Sequence, residues 1–272
     1  MDLHGVSAAV TGGAHGIGEA IARQLAARGA KVAVGDIDED GAVRAATEIG
    51  GVGRKLDVSD EQSFTAFLDA AEQEHGPLAL MVNNAGIDWI GPFHEEPDDV
   101  TQREIAVNLY GAALGSKLAI QRMLPRDRGH LVNVASGVGR VPLPGSSTYS
   151  ATKHGVVGLT ESLKLEYRKT GIGFSVIQPA QVATAMLDGQ PKPRGLPQVT
   201  PEDVAKAVAD AVERGRFDVW IPRSQGVTAR LSVLLPRRVR EGALNVLGVT
   251  KIAGDADLEA RREYHERSFG RR

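Results

Sequence analysis

The 272-residue sequence predicts a doubly wound α/β fold on a mostly parallel seven-stranded sheet, with helices on both faces. Three observations predict it. Short apolar runs alternate with stretches of helical periodicity from Val6 to Pro222. The first run ends in a glycine-rich turn that opens a helix. Several runs are apolar without a polar alternation, as strands buried on both faces must be.

The elements follow in order. Val6-Ser7-Ala8-Ala9-Val10 reads as the first strand. Ile17, Ala20, Ile21 and Leu25 then recur at spacings of three and four, one face of a helix. Lys31 to Gly35 is the second strand, Asp38 to Ile49 a helix, and Gly51 to Leu56 a third strand. Ser59 or Asp60 caps a helix carrying Phe64, Phe67 and Leu68, which Gly76-Pro77 stops. Leu78 to Val82 is a buried strand, and a long helix spans Thr101 to Met123. Gly129 to Val134 is a strand, Tyr149 to Lys169 a helix, and Gly173 to Ile177 a strand. Thr200-Pro201-Glu202-Asp203 joins a cap to a first-turn proline, and Phe217 to Ile221 is the last strand. Residues 1–222 are thus expected to form one domain, and 223–272 a basic, helical extension.

Composition narrows the function. A net charge of -2 does not favour a nucleic-acid partner. The absence of cysteine removes thiolate chemistry and disulfides and fits a cytoplasmic location. No spacing calls for a bound metal. The start lacks a charged segment followed by an apolar run, so no signal peptide is expected. The tail's most apolar stretch, Leu231 to Leu235, falls far short of the roughly 20 residues a membrane span needs.

The chemistry sits where strands end. In Thr11-Gly12-Gly13-Ala14-His15-Gly16-Ile17-Gly18, glycines let the backbone bend close to a pyrophosphate, and the helix start offers free N–H groups to it. Such clusters also make plain turns, but this one lies between a strand and a helix. A Rossmann-type unit is therefore expected, with NAD as cofactor. Asp36, 18 positions after Gly18, ends the second strand, where a carboxylate accepts from both ribose hydroxyls and repels the extra phosphate of NADP. Asp57 either receives the adenine amino group or caps a helix. Asn84, Ala85 and Gly86 end the fourth strand, where an Asn lies along the dinucleotide or ties loop backbone together.

Ser136 follows the fifth strand, and Tyr149 and Lys153 open the next helix four apart, on one face. Exposed pairs at that spacing are common; position distinguishes this one, because ligands bind at the carboxyl ends of such strands. Oxidising an alcohol removes a proton as well as a hydride. A phenol of pKa about 10 is a weak base at neutrality, and a neighbouring ammonium lowers that value. Ser136 can hydrogen-bond the substrate oxygen.

Over residues 5 to 222 these motifs resemble those of the short-chain dehydrogenase/reductase family, in its compact single-domain branch. The resemblance rests on the Thr11–Gly18 turn, Asn83-Asn-Ala-Gly86, Ser136 and Tyr149-Ser-Ala-Thr-Lys153. It implies an alcohol or carbonyl substrate, Tyr149 as acid/base, and Lys153 on the nicotinamide ribose. It adds Asn108 as holder of a water in a proton relay, and Ile17, His15, Val58, Pro179, Val182 and Thr184 as cofactor contacts. It implies a homo-oligomer, dimer or tetramer, built on the two long helices. One departure is Ala180, where the family carries glycine; a required positive φ would strain it.

Apolar residues in the loops after the strands, among them Ile87, Trp89, Ile90, Phe93, Val138, Val141, Leu143, Met186 and Leu187, suggest a lipophilic substrate, steroid-like or long-chain. Pro191, Pro193 and Pro197 suggest a stiff lid. The tail, with Arg223, Arg230, Arg237, Arg238 and Arg240 among Val227, Leu231 and Leu235, reads as a helix packed on the domain or a second subunit. A peripheral membrane contact is the other reading. Asp257 to Arg267 reads as a charged, solvated helix. The competing functions are a noncatalytic dinucleotide-binding regulator and a membrane-associated scaffold; neither needs Ser136, Tyr149 and Lys153 together.

Overall fold

A computed structural model describes residues 1–187, 198–233 and 261–270, with scattered positions from 235 to 242 and residue 259. The parallel strands are β1 (Ser7–Thr11), β2 (Lys31–Asp36), β3 (Val52–Lys55), β4 (Leu80–Asn83), β5 (Gly129–Val134), β6 (Ile172–Pro179) and β7 (Asp218–Ile221). They pair in the order β3-β2-β1-β4-β5-β6-β7, in one seven-stranded sheet. The helices are α1 (Gly16–Ala27), α2 (Glu39–Glu48), α3 (Glu61–His75), α4 (Asp98–Glu104), α5 (Gly111–Met123), α6 (Ser147–Glu166), α7 (Pro201–Arg214), α8 (Arg223–Val233) and α9 (Arg262–Phe269).

Successive strand residues face opposite sides of the sheet. Ala8 and Val10 of β1 join Ile21, Leu25, Val204 and Val208 from α1 and α7 in one core. Ala9, between them, joins Phe64, Phe67, Leu114 and Leu118 from α3 and α5 in the other. All five residues of β1 are buried, which explains why Ala8, Ala9 and Val10 show no polar alternation. Strand order reverses between β1 and β4, so the loops after these two strands diverge and open a crevice at their carboxyl ends.

Asp60, not Ser59, caps α3, accepting from Ser63 N. Thr200 and Asp203 form a reciprocal capping box at the start of α7. The helix expected from Thr101 begins at Asp98 and is not uniformly α: Ile105–Tyr110 is a π-helical stretch between α4 and α5. Periodicity hides this, because one widened turn barely shifts the apolar pattern. The expected solvated helix at the C-terminus is corrected more sharply. Arg261 and Tyr264 are buried, on either side of the start of α9. The expected lid prolines, 191, 193 and 197, lie outside the described residues, as do Leu234, Arg237 and Arg240 of the tail. No helix among the described residues is long and apolar enough to cross a membrane.

Candidate functional site

A cavity of about 900 Å³ opens over the carboxyl ends of the strands. The Thr11–Gly18 turn forms one end and fits a dinucleotide on steric grounds. Gly12 has φ +64, and a Cβ there would lie 2.8 Å from Ala85 Cα. A Cβ on Gly18 would lie 2.0 Å from the Gly12 oxygen. Gly16 has φ +56 and faces the Thr184 methyl. No side chain caps α1, so the first N–H groups of that helix remain for an anion, and Gly16, Ile17 and Gly18 line the cavity.

Asp36 lines the same cavity and stiffens its floor: Oδ2 accepts from Ala14 N at 3.0 Å, Oδ1 from Asp38 N at 3.1 Å. Each oxygen retains a lone pair for a ribose hydroxyl. His15 lines the cavity and lies 2.8 Å from Asp38 Oδ2. Backbone donation from Gly41 holds Asp38 below the usual carboxylate range, with His15 assisting. Sequence reasoning missed Arg44, whose guanidinium donates to Ala14 O. Asp57 and Val58 line the cavity, but Asp57 caps no helix; its Oδ1 accepts from Ser59 N and Oγ. Asn84 fulfils its structural reading, with Nδ2 donating to Thr11 O and Gly12 O, and it lines the cavity with Ala85 and Gly86.

Pro179, Val182 and Thr184 also line the cavity, Thr184 against the glycine turn. Asp127 is the one non-glycine residue with positive φ among those described, so Ala180 sits there without left-handed backbone. Its N–H donates to Ile221 O at 2.8 Å, fixing the loop to β7 instead.

Ser136, Tyr149 and Lys153 converge in the same cavity. The Ser136 Oγ accepts from Val138 N, which turns the chain after β5. Lys153, 3% exposed, donates from Nζ to Val134 O at 3.0 Å and lies 5.5 Å from the Tyr149 ring centroid. Burial lowers its pKa to about 8, against the attraction of Asp88 and Glu104. The expected depression of the Tyr149 pKa is absent in the protein by itself. Burial raises it, Asp88 adds to the rise, and the Ser136 hydrogen bond opposes both. Position along a helix reports a neighbouring lysine but not the depth of burial.

Asn108 does not line the cavity. Its Oδ1 accepts from Ile87 N and its Nδ2 donates to Ile87 O, both at 2.8 Å, so it clamps the loop after β4. Of the expected apolar wall, Ile87, Val138, Val141, Leu143, Met186 and Leu187 line the cavity. Trp89, Ile90 and Phe93 do not: Ile90 is core and Phe93 is exposed.

Sequence reasoning also missed Glu104, four residues before Asn108 and 1% exposed. One oxygen accepts from Trp89 N at 2.5 Å, and Oε2 meets no hydrogen-bond partner among the described residues. Burial raises its pKa to about 9, aided by Asp88. The i, i+4 spacing to Asn108 was the available signal.

The family model for short chain dehydrogenases matches residues 7–194. Cis-4-hydroxycyclohexanecarboxylate dehydrogenase of Sinomonas cyclohexanicum is 39% identical over 74% of this chain and 87% of its own length. D-beta-hydroxybutyrate dehydrogenase of Cupriavidus necator is 34% identical over 90% and 98%. A short chain dehydrogenase/reductase from Burkholderia phymatum, solved in complex with NAD, superposes with a TM-score of 0.78 at 28% identity, covering 85% of this chain and 94% of that one.

Proposed function

The chain belongs to the short-chain dehydrogenase/reductase family, and on that premise we propose that it is an NAD-dependent oxidoreductase interconverting a lipophilic secondary alcohol and its ketone, with Tyr149 as proton donor and acceptor. The observation that carries this reading is the convergence of Ser136, Tyr149 and Lys153 in the cavity that also contains the glycine turn. A noncatalytic dinucleotide binder has no need of that trio.

NAD supplies the hydride acceptor and, when oxidised, a positive charge. The protein's residues do the rest. Gly12, Gly16, Ile17 and Gly18 admit the pyrophosphate to the start of α1. Asp36 accepts from the ribose and repels a 2′-phosphate, which favours NAD over NADP. Ser136 hydrogen-bonds the substrate oxygen. In oxidation Tyr149 would have to be ionised, its phenolate favoured by Lys153, so that its oxygen takes the hydroxyl proton as the hydride leaves; in reduction the phenol gives that proton to the new alkoxide. Lys153 needs one of its three donors for Val134 O and keeps two for ribose and phenol. Asn108 is a positioning residue, acting through the Ile87 loop. The mostly apolar lining, with Val138, Val141, Leu143, Met186 and Trp220, supports a lipophilic substrate.

Tyr149→Phe tests the reading. It keeps the ring and removes the hydroxyl, so turnover is expected to fall ~10² to 10⁴-fold, the usual contribution of a positioned proton-transfer group. NADH affinity, measured by fluorescence titration, should hold. Near-normal turnover, on a substrate whose wild-type rate is limited by chemistry, would falsify the assignment.

A further inference from the structure

The segment 261–270 contributes Tyr264 and Ser268 to the cavity, although it lies beyond the α/β alternation. Tyr264 is 6% exposed and lines the cavity together with Ser136, Tyr149 and Met186. Its hydroxyl accepts from Asp88 N at 2.8 Å. The oxygen is thus tied to the loop after β4, leaving the ring as the part that meets a ligand.

Arg261 holds this arrangement. It is fully buried and donates from Nη1 to Met186 O at 2.8 Å and from Nη2 to Asp88 O at 3.1 Å. Its guanidinium carbon lies 5.1 Å from the Tyr264 ring centroid. A guanidinium keeps its charge at any ordinary pH, so burying one requires fixed acceptors. Here they come from two loops, after β4 and after β6. Arg103 of α4 adds a third tie, donating to Ser268 O at 2.9 Å. The tyrosine ring is therefore a fixed wall, joined to the loops that form the rest of the chamber.

We propose that Tyr264, held in place by Arg261, determines substrate specificity by limiting the apolar body that an alcohol or ketone can carry into the chamber. This rests on the oxidoreductase reading above. It gives the C-terminal helix a role in choosing the substrate and assigns the Tyr264 hydroxyl no part in proton transfer.

The test uses the full-length protein loaded with NADH and three ketones of rising size: cyclohexanone, decalone and a tetracyclic steroid ketone. Each is followed by binding and by kcat/KM in wild type, Tyr264→Ala and Tyr264→Phe. Removing the ring is expected to raise the ratio of kcat/KM for large over small ketones by ~10-fold or more, since one methylene of space in a pocket is worth about that. Tyr264→Phe should keep the wild-type ratio, because the ring remains. NADH affinity should hold in both. If Tyr264→Ala does not fold, Tyr264→Trp carries the test with opposite sign, disfavouring the larger ketones. An active wild type whose ratio does not move in the Ala or Trp variant overturns this inference and leaves the functional reading standing. A wild type that binds NADH but neither binds nor reduces any of the three overturns both.

Discussion

Glu104 is a buried titratable group near Lys153, with one oxygen accepting from Trp89 N and the other buried. Its pKa is raised from 4.5 to about 9, chiefly by loss of solvent. Between those values the folded protein keeps a proton that the unfolded chain releases. Stability therefore falls as pH rises from about 4.5 to about 9 and is unaffected by this group outside that window. Glu104→Gln keeps the shape and the acceptor for Trp89 N and abolishes the titration. Across that window the variant should gain stability relative to wild type by up to about 1.4 kcal/mol per pH unit. Denaturant midpoints of both proteins at several pH values check this; parallel pH profiles would show that the carboxyl is ionised throughout. An ionised Glu104 contributes to the rise of the Tyr149 pKa, after burial, Asp88 and Tyr264.

At the scale of elements, the β1–α1 turn and the end of β2 act as one unit. Asp36 ends β2 and reaches back to Ala14 N, while Arg44 of α2 donates to Ala14 O from the other side. The residue proposed to choose the cofactor therefore also shapes the phosphate turn. Asp36→Asn preserves one oxygen acceptor but replaces the other with a donor and removes the charge. NAD(H) affinity is expected to drop ~10 to 100-fold, the range for losing hydrogen bonds to a charged group, while NADP(H) changes less. The preference for NAD(H) should narrow accordingly. Titrating both cofactors into both proteins decides it, and wild-type protein that binds NADP(H) as tightly as NAD(H) would refute the assignment. The π stretch is a second element whose geometry serves the site. It carries Asn108, whose side chain closes both hydrogen bonds on Ile87.

For the molecule as a whole, the long helices leave Ile105, Tyr110 and Leu165 exposed, with fractional exposures of 45%, 48% and 65%. We expect a homo-oligomer that covers this face, consistent with the family, and light scattering at micromolar concentration should give a multiple of the 28.8 kDa chain mass. A monomer mass would count against it, as would an Ile105→Glu, Leu165→Glu protein of unchanged mass. Alternating strands and helices, the glycine turn, Asp36 and the Ser136, Tyr149, Lys153 set were legible in the sequence by itself. Each is a local pattern, and strand ends in a parallel sheet bring such patterns to one edge wherever the loops lead. The rest depended on contacts between distant residues. The segment around α9 is rich in charge, with Glu259, Arg261, Arg262, Glu263, Glu266 and Arg267, and by composition belongs in water. Tertiary structure instead buries Arg261 on carbonyls of Asp88 and Met186, and sets Tyr264 on Asp88, 176 positions away. Burial likewise decided the protonation of Glu104 and the rise of the Tyr149 pKa, because desolvation is set by everything packed around a group and not by its neighbours along the chain.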